Sequence, residues 1–187
     1  MKYLLSALML IVITGCIPNT KFSTTDPYAT GLRWFERDKF HEAIKNWEPL
    51  VKKGDCDAEY RMGLMHFAGL GIPQSFDTAH QLWIKAANGN QQRAQWALGD
   101  LYFQSESDVY HHCTKTPTCT VNKDLEKALF WYKLFEKSAK YDGEKKYLNH
   151  VLPKVTAHLN TKQIKDIESK VAAWLPTPKD CDARNMW

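Results

Sequence analysis

The segment AEYRMGLMHFAGLGIPQSFDTAHQLWIKAA, running from Ala58 to Ala87, decides the fold. Its first part, Ala58 to Ala68, places Ala58, Met62 and Met65–His66 on one helical face. Gly69-Leu70-Gly71 ends that helix, because glycine readily takes the positive φ of a C-cap. Ile72-Pro73 then extends the chain and resists helix. Ser75 can cap a second helix, on which Phe76, Ala79, Trp83 and Ala86–Ala87 recur every three or four residues, with Gly89 closing it. The small residues Gly63 and Ala79 would let the two helices approach closely.

The pattern recurs. Gly63 and Gly99 are 36 residues apart, as are Ala58 and Ala94, Ala43 and Ala79, and Trp47 and Trp83. A third copy, Ala128 with Tyr132, is displaced by a further 13-residue insertion. Tyr28, Tyr60 and Trp96 stand three residues before Gly31, Gly63 and Gly99, and Phe35, Phe67 and Phe103 stand four after them. A period in this range marks an array of helical hairpins, whose units must stack because one pair cannot bury both faces. The aligned aromatics are expected to join the units. The expected fold is all-α: a short right-handed α-solenoid of helix-turn-helix repeats with a C-terminal helical cap.

At this point the residues resemble a known family. Met62-Gly63 through Ala86-Ala87, with Gly69-Leu70-Gly71-Ile72-Pro73-Gln74 and Leu82-Trp83-Ile84-Lys85, is similar to a Sel-one-like repeat. The next unit follows with Leu98-Gly99, Tyr102, Val121-Asn122-Lys123-Asp124, Lys127-Ala128 and Trp131-Tyr132-Lys133. Phe40 to Asp55 resembles the shorter, tetratricopeptide-like unit that often opens such arrays. This chain departs from the family at Ser75, usually Asp, and at His66, usually Tyr, and its third unit lacks the Gly-x-Gly turn. The resemblance implies a scaffold that binds a protein partner along its stacked first helices.

The units read as 28–56, 57–92 and 93–140, the last with an insertion at 104–120. Two capping helices follow over 141–176, with Pro153 expected to kink the first, and then a tail over 177–187. The first helix of the cap carries Leu148, Val151, Leu152, Val155 and Leu159. The second opens at Thr161-Lys162-Gln163-Ile164 and carries Ile164, Ile167, Val171 and Trp174–Leu175.

Location is written in the N-terminus. Met1-Lys2 precedes an apolar run from Leu4 to Ile13 broken only by Ser6, too short to span a bilayer, then Thr14-Gly15. A Cys follows at once. Ile13-Thr14-Gly15-Cys16 resembles the lipobox of bacterial lipoproteins, which implies a signal peptide over 1–15 and a lipidated Cys16. Several acyl chains exceed the two-signal threshold for stable anchoring. Ile17 is not the Asp that favours inner-membrane retention in enterobacterial lipoproteins. The periplasmic face of the outer membrane is therefore the favoured address in a Gram-negative source. Residues 16–27, with two prolines and no period, form a tether.

Composition excludes other classes. Hydrophobic residues make up 44% and charged residues 25%, which describes a globular chain. A net charge of +4 is scattered and forms no basic stripe, so no nucleic acid is expected.

Five Cys are present, and lipidation of Cys16 leaves four, which allow three pairings. Cys113 and Cys119 lie six apart in the insertion and can close a small loop; Cys56 would then pair with Cys181. The rival reading is a zinc site from His111, His112, Cys113 and Cys119. Adjacent His side chains diverge and an exported chain is oxidised, so the disulfides are preferred and no metal or cofactor is expected.

Catalytic motifs are missing. There is no Gly-x-Ser-x-Gly elbow, no phosphate-cradling loop, no His-Glu-x-x-His helix and no Ser-x-x-Lys. That weighs against the rival class, a β-lactam- or peptidoglycan-acting periplasmic enzyme of cysteine-rich Sel-one-like type. What remains is a binding surface for an unknown protein partner, on a chain otherwise monomeric. The first-helix positions least needed for packing are Arg61, Leu64 and Ala68, with counterparts Ala97, Asp100 and Gln104, and these are the expected contact residues.

Overall fold

A computed structural model describes residues 26–103 and 121–177. Within them the chain forms eight α-helices and no strands: α1 (Pro27–Phe35), α2 (Phe40–Lys52), α3 (Cys56–Ala68), α4 (Phe76–Asn88), α5 (Gln92–Phe103), α6 (Leu125–Ser138), α7 (Asp142–Thr156) and α8 (Thr161–Ala173). The signal-peptide and lipidation segment, the insertion 104–120 and the end of the tail lie outside the described residues.

Side chains set the helix starts. Asp26 accepts from the backbone N–H groups of Tyr28 and Ala29, and Asp55, Ser75 and Asp124 each accept from the residue three places on. Each such bond satisfies a donor that has no intrahelical acceptor. Burial of Asp124 opposes its charge, but the Lys127 N–H and ammonium more than offset this and hold its carboxyl below the usual range. Gly69 ends α3 at φ 69°, the expected left-handed cap. After α4 the positive φ falls instead on Asn90, at 69°, while Gly89 has an ordinary negative φ. Pro153 lies inside α7, which continues to Thr156 on either side of it.

Helices pair in sequence, α1 with α2, α3 with α4, and α5 with α6, and α2 contacts α3 as α4 contacts α5. The result is a helical solenoid of tetratricopeptide-like repeats. Both α7 and α8 pack on α6, where a fourth unit would stand. Their Leu148, Val151, Val155, Ile167 and Val171 extend the core.

Because units stack on both sides, a middle helix loses its amphipathic stripe. Eight of the 13 residues of α3 are buried, and six of them are divided between two separate apolar clusters. Ala58, Met62 and Met65 join Tyr28, Ala43, Ile44 and Trp47 of the first unit. Cys56, Tyr60 and Phe67 join Phe76, Trp83 and the third unit.

Candidate partner-binding face

One joint recurs in each hairpin. The first helix supplies a glycine and the second lays an aromatic ring on it. A Cβ added at Gly31 would lie 2.3 Å from Trp47 Nε1, and one at Gly63 would lie 2.4 Å from Trp83 Nε1. Only a residue without a side chain fits there. Both rings are fully buried, and each indole N–H donates 3.2 Å to a backbone carbonyl three residues before the glycine, that of Tyr28 or Tyr60. Phe35 packs on Trp47 and Phe40, and Phe67 on Trp83 and Phe76. These phenylalanines therefore close their own hairpins. Their ring contacts with Phe40, Trp47, Phe76 and Trp83 fall on the second helix of the same hairpin. They also reach the neighbouring unit, as expected: Arg61 lies over the Phe35 ring, and Phe67 shares one apolar cluster with the third unit.

The third hairpin is built differently. Tyr132 lies on Gly99, where an added Cβ would stand 2.5 Å from the ring. Its hydroxyl donates 2.5 Å to Asp100 Oδ1, and the Tyr147 hydroxyl of α7 donates to the same oxygen. Burial first, and then the Asp100 charge, push both phenol pKa values above the ordinary range. One buried carboxylate thus ties the third repeat to the cap.

Around this joint the first helices bring polar groups together. Arg61 Nε donates 3.3 Å to the Tyr28 hydroxyl, and its guanidinium lies 5.9 Å from the ring centres of both Phe35 and Tyr60. Burial raises the Tyr60 phenol pKa, while the nearby charges of Arg61 and of Arg93, on α5, pull it down. The Tyr28 phenol and the Asp100 carboxylate oppose them, and the net shift is upward. Trp96, the counterpart of the buried Tyr28 and Tyr60, is 38% exposed; it stacks on Phe135 and meets Tyr147 edge-on.

Of the expected contact residues, Arg61 and Leu64 are half-buried and Ala68 is exposed. Ala97 and Asp100 are in the core, at 5% and 6% exposure, so neither contributes free surface as expected. Asp100 is buried because it is the acceptor for two tyrosines. Gln104 lies outside the described residues. Arg93, Trp96 and Tyr147 were not expected as surface groups. Position 93 aligns with Asp57, so the repeat register gave no sign of a cation there.

Cys56, fully buried at the start of α3, is disulfide-bonded, and its partner lies outside the described residues. So do Cys16, Cys113, Cys119, Cys181, His111 and His112. Among the described residues no cluster of three or more metal-ligating side chains occurs. No helix among them is long and apolar enough to cross a membrane.

The Sel1 repeat family model matches residues 56–91, 92–110 and 118–139. The first match spans α3 and α4, and the others cover α5 and α6. No solved structure matches the chain.

Proposed function

We propose that this chain, similar to Sel1 repeats over three segments, is a membrane-anchored scaffold of the bacterial envelope that captures another protein and catalyses nothing. The observation that carries this is the half-open Trp96, one turn after half-buried Arg93 on α5, together with half-buried Arg61 on α3 of the preceding unit. Glycine-aromatic joints hold these helices, and a preformed surface loses little conformational entropy when a partner docks. The repeat match supports an interaction role in general. Anchoring rests on Ile13-Thr14-Gly15-Cys16 and on acylation of Cys16, with the periplasmic face of the outer membrane as the address.

Pairing of Cys56 with Cys181 belongs to the same reading. Thr177 N–H donates 2.7 Å to the Asn88 carbonyl, and Gln91 Nε2 donates 3.1 Å to Asp57 Oδ1, next to Cys56. The chain after α8 thus returns to the α4–α5 turn, four residues before Cys181. Four residues reach at most about 14 Å. Cys113 and Cys119 are left to pair with each other.

A photo-crosslinking side chain placed at Arg93 in cells should give one discrete protein adduct, and the same probe at exposed Glu48 should not. Cys16→Ser should release the protein from membranes or leave it unprocessed. Turnover of a β-lactam or a peptidoglycan fragment by the purified chain, abolished by one side-chain change, would overturn the scaffold reading.

A further inference from the structure

We propose that the face formed by α3 and α5 takes an acidic peptide segment, with carboxylates at Arg61 and Arg93 and an apolar side chain against Trp96. This rests on the scaffold reading and names the chemistry of its partner.

Charge complementarity carries it. Among the described residues neither Arg61 nor Arg93 has a carboxylate within salt-bridge distance. Both are half-buried. A guanidinium removed from water without a counter-ion is costly, and a ligand carboxylate that supplies one gains a charge-assisted, often two-pronged hydrogen bond. Of the acids near this face, Asp57 accepts from Gln91, and Asp100 is 6% exposed and accepts from Tyr132 and Tyr147.

Geometry adds to charge. Arg61 is oriented in advance by the Tyr28 hydroxyl and by the rings of Phe35 and Tyr60, so little side-chain entropy remains to be lost on binding. Trp96 is fixed from behind by Phe135 and Tyr147 yet leaves over a third of its surface open. An indole held in this way is the kind of anchor that dominates binding energy at interfaces. The Leu64 side chain, half-buried on α3 three residues after Arg61, adds an apolar group beside that cation. The two cations and the apolar groups suit an extended chain carrying Asp or Glu on either side of a Leu, Phe or similar residue.

The test is selection of a random dodecapeptide phage library on the full-length protein held in detergent. Enriched sequences should carry two or more Asp or Glu around an apolar residue. A synthetic copy of an enriched peptide should bind at least about tenfold more weakly to Arg93→Gln, and more weakly still at high salt, where surface charges are screened. Arg93 makes no hydrogen bond among the described residues, so that variant should keep the wild-type circular dichroism and melting curve. Arg61→Gln serves as the second variant, checked in the same way. Enrichment of neutral or basic peptides, an affinity that both substitutions leave unchanged, or binding to vesicles of anionic phospholipid in place of peptides would overturn the inference. A discrete crosslinked partner at position 93 together with such a result would leave the scaffold reading standing; loss of both would remove both.

Discussion

Consider the substitution of Gly63 by Ala, which adds one methyl group to a buried helix. That carbon would stand 2.4 Å from Trp83 Nε1 and 2.5 Å from Cδ1, so the ring must move. It has nowhere to go freely, being fully buried and held by Phe67 at a ring separation of 5.3 Å. Overpacking of a core costs about 1–3 kcal/mol. A displaced indole also breaks its bond to the Tyr60 carbonyl, and a buried donor left without an acceptor costs about 1–3 kcal/mol more. Against these stands the better helix propensity of Ala over Gly, about 1 kcal/mol. The net loss should be about 3 kcal/mol, which in a chain of this size lowers Tm by roughly 6–12 °C. Urea unfolding followed by circular dichroism at 222 nm measures it. Gly143→Ala is the control: nothing lies within 4 Å of its added Cβ, so stability should hold or rise slightly. Adding Trp83→Phe to Gly63→Ala should make room for the methyl, so the double variant should lose at least about 1 kcal/mol less than the two single losses combined. Strict additivity, or a Gly63→Ala protein as stable as the parent, would refute close approach as the reason for the glycine.

Asp100→Ala should cost about 3 kcal/mol in the same assay, since it leaves the Tyr132 and Tyr147 hydroxyls without their shared acceptor. Stability should also fall with acid. Burial lowers the pKa of His66 and of His80, the latter aided by Lys127, so protonation is harder in the folded state than in the unfolded one. That contribution is complete above the ordinary imidazole value of about 6.5 and is lost as pH falls through the depressed folded values; His80→Gln should flatten the melting profile there. Cys181→Ser, unfolded in urea without reductant, should show one alkylatable thiol at Cys56. It should also remove up to about 5 kcal/mol, the chain-entropy value for a loop of 181 − 56 = 125 residues. A Cys56 that stayed unreactive would assign its bond to another cysteine.

Features with a local cause were legible. Gly69, Ser75 and the 36-residue spacing each act within a few residues of their partners or repeat a local rule, and they placed the hairpins. Contacts between distant elements were not. Asp100 reads as a surface acid until Tyr132 and Tyr147, 32 and 47 residues on, are brought to it. Its alignment with Leu64 was the available sign that the position faces inward. Trp96 was misread for the opposite reason. Its counterparts Tyr28 and Tyr60 are covered by the next repeat, whereas the cap covers Trp96 only in part. Arg93 carries no local signature, because an unpaired cation becomes meaningful only when its neighbours on α3 are known.

The contrast between the indole joints and the Asp100 joint bears on how such an array can be edited. In the first two hairpins the ring bonds to a main-chain carbonyl, an acceptor that every residue type supplies. Those units are interchangeable parts: a copy of residues 57–92 could be spliced in beside its original and find the same fittings on each side. The third hairpin is keyed. Tyr132 and Asp100 fit a tyrosine that only α7 carries, so duplication at that end would strand a carboxylate against a repeat with no matching hydroxyl. Lengthening, whether by gene duplication or by design, therefore has a direction. New units belong upstream of α5, and the terminal hairpin must travel with its cap as one cassette.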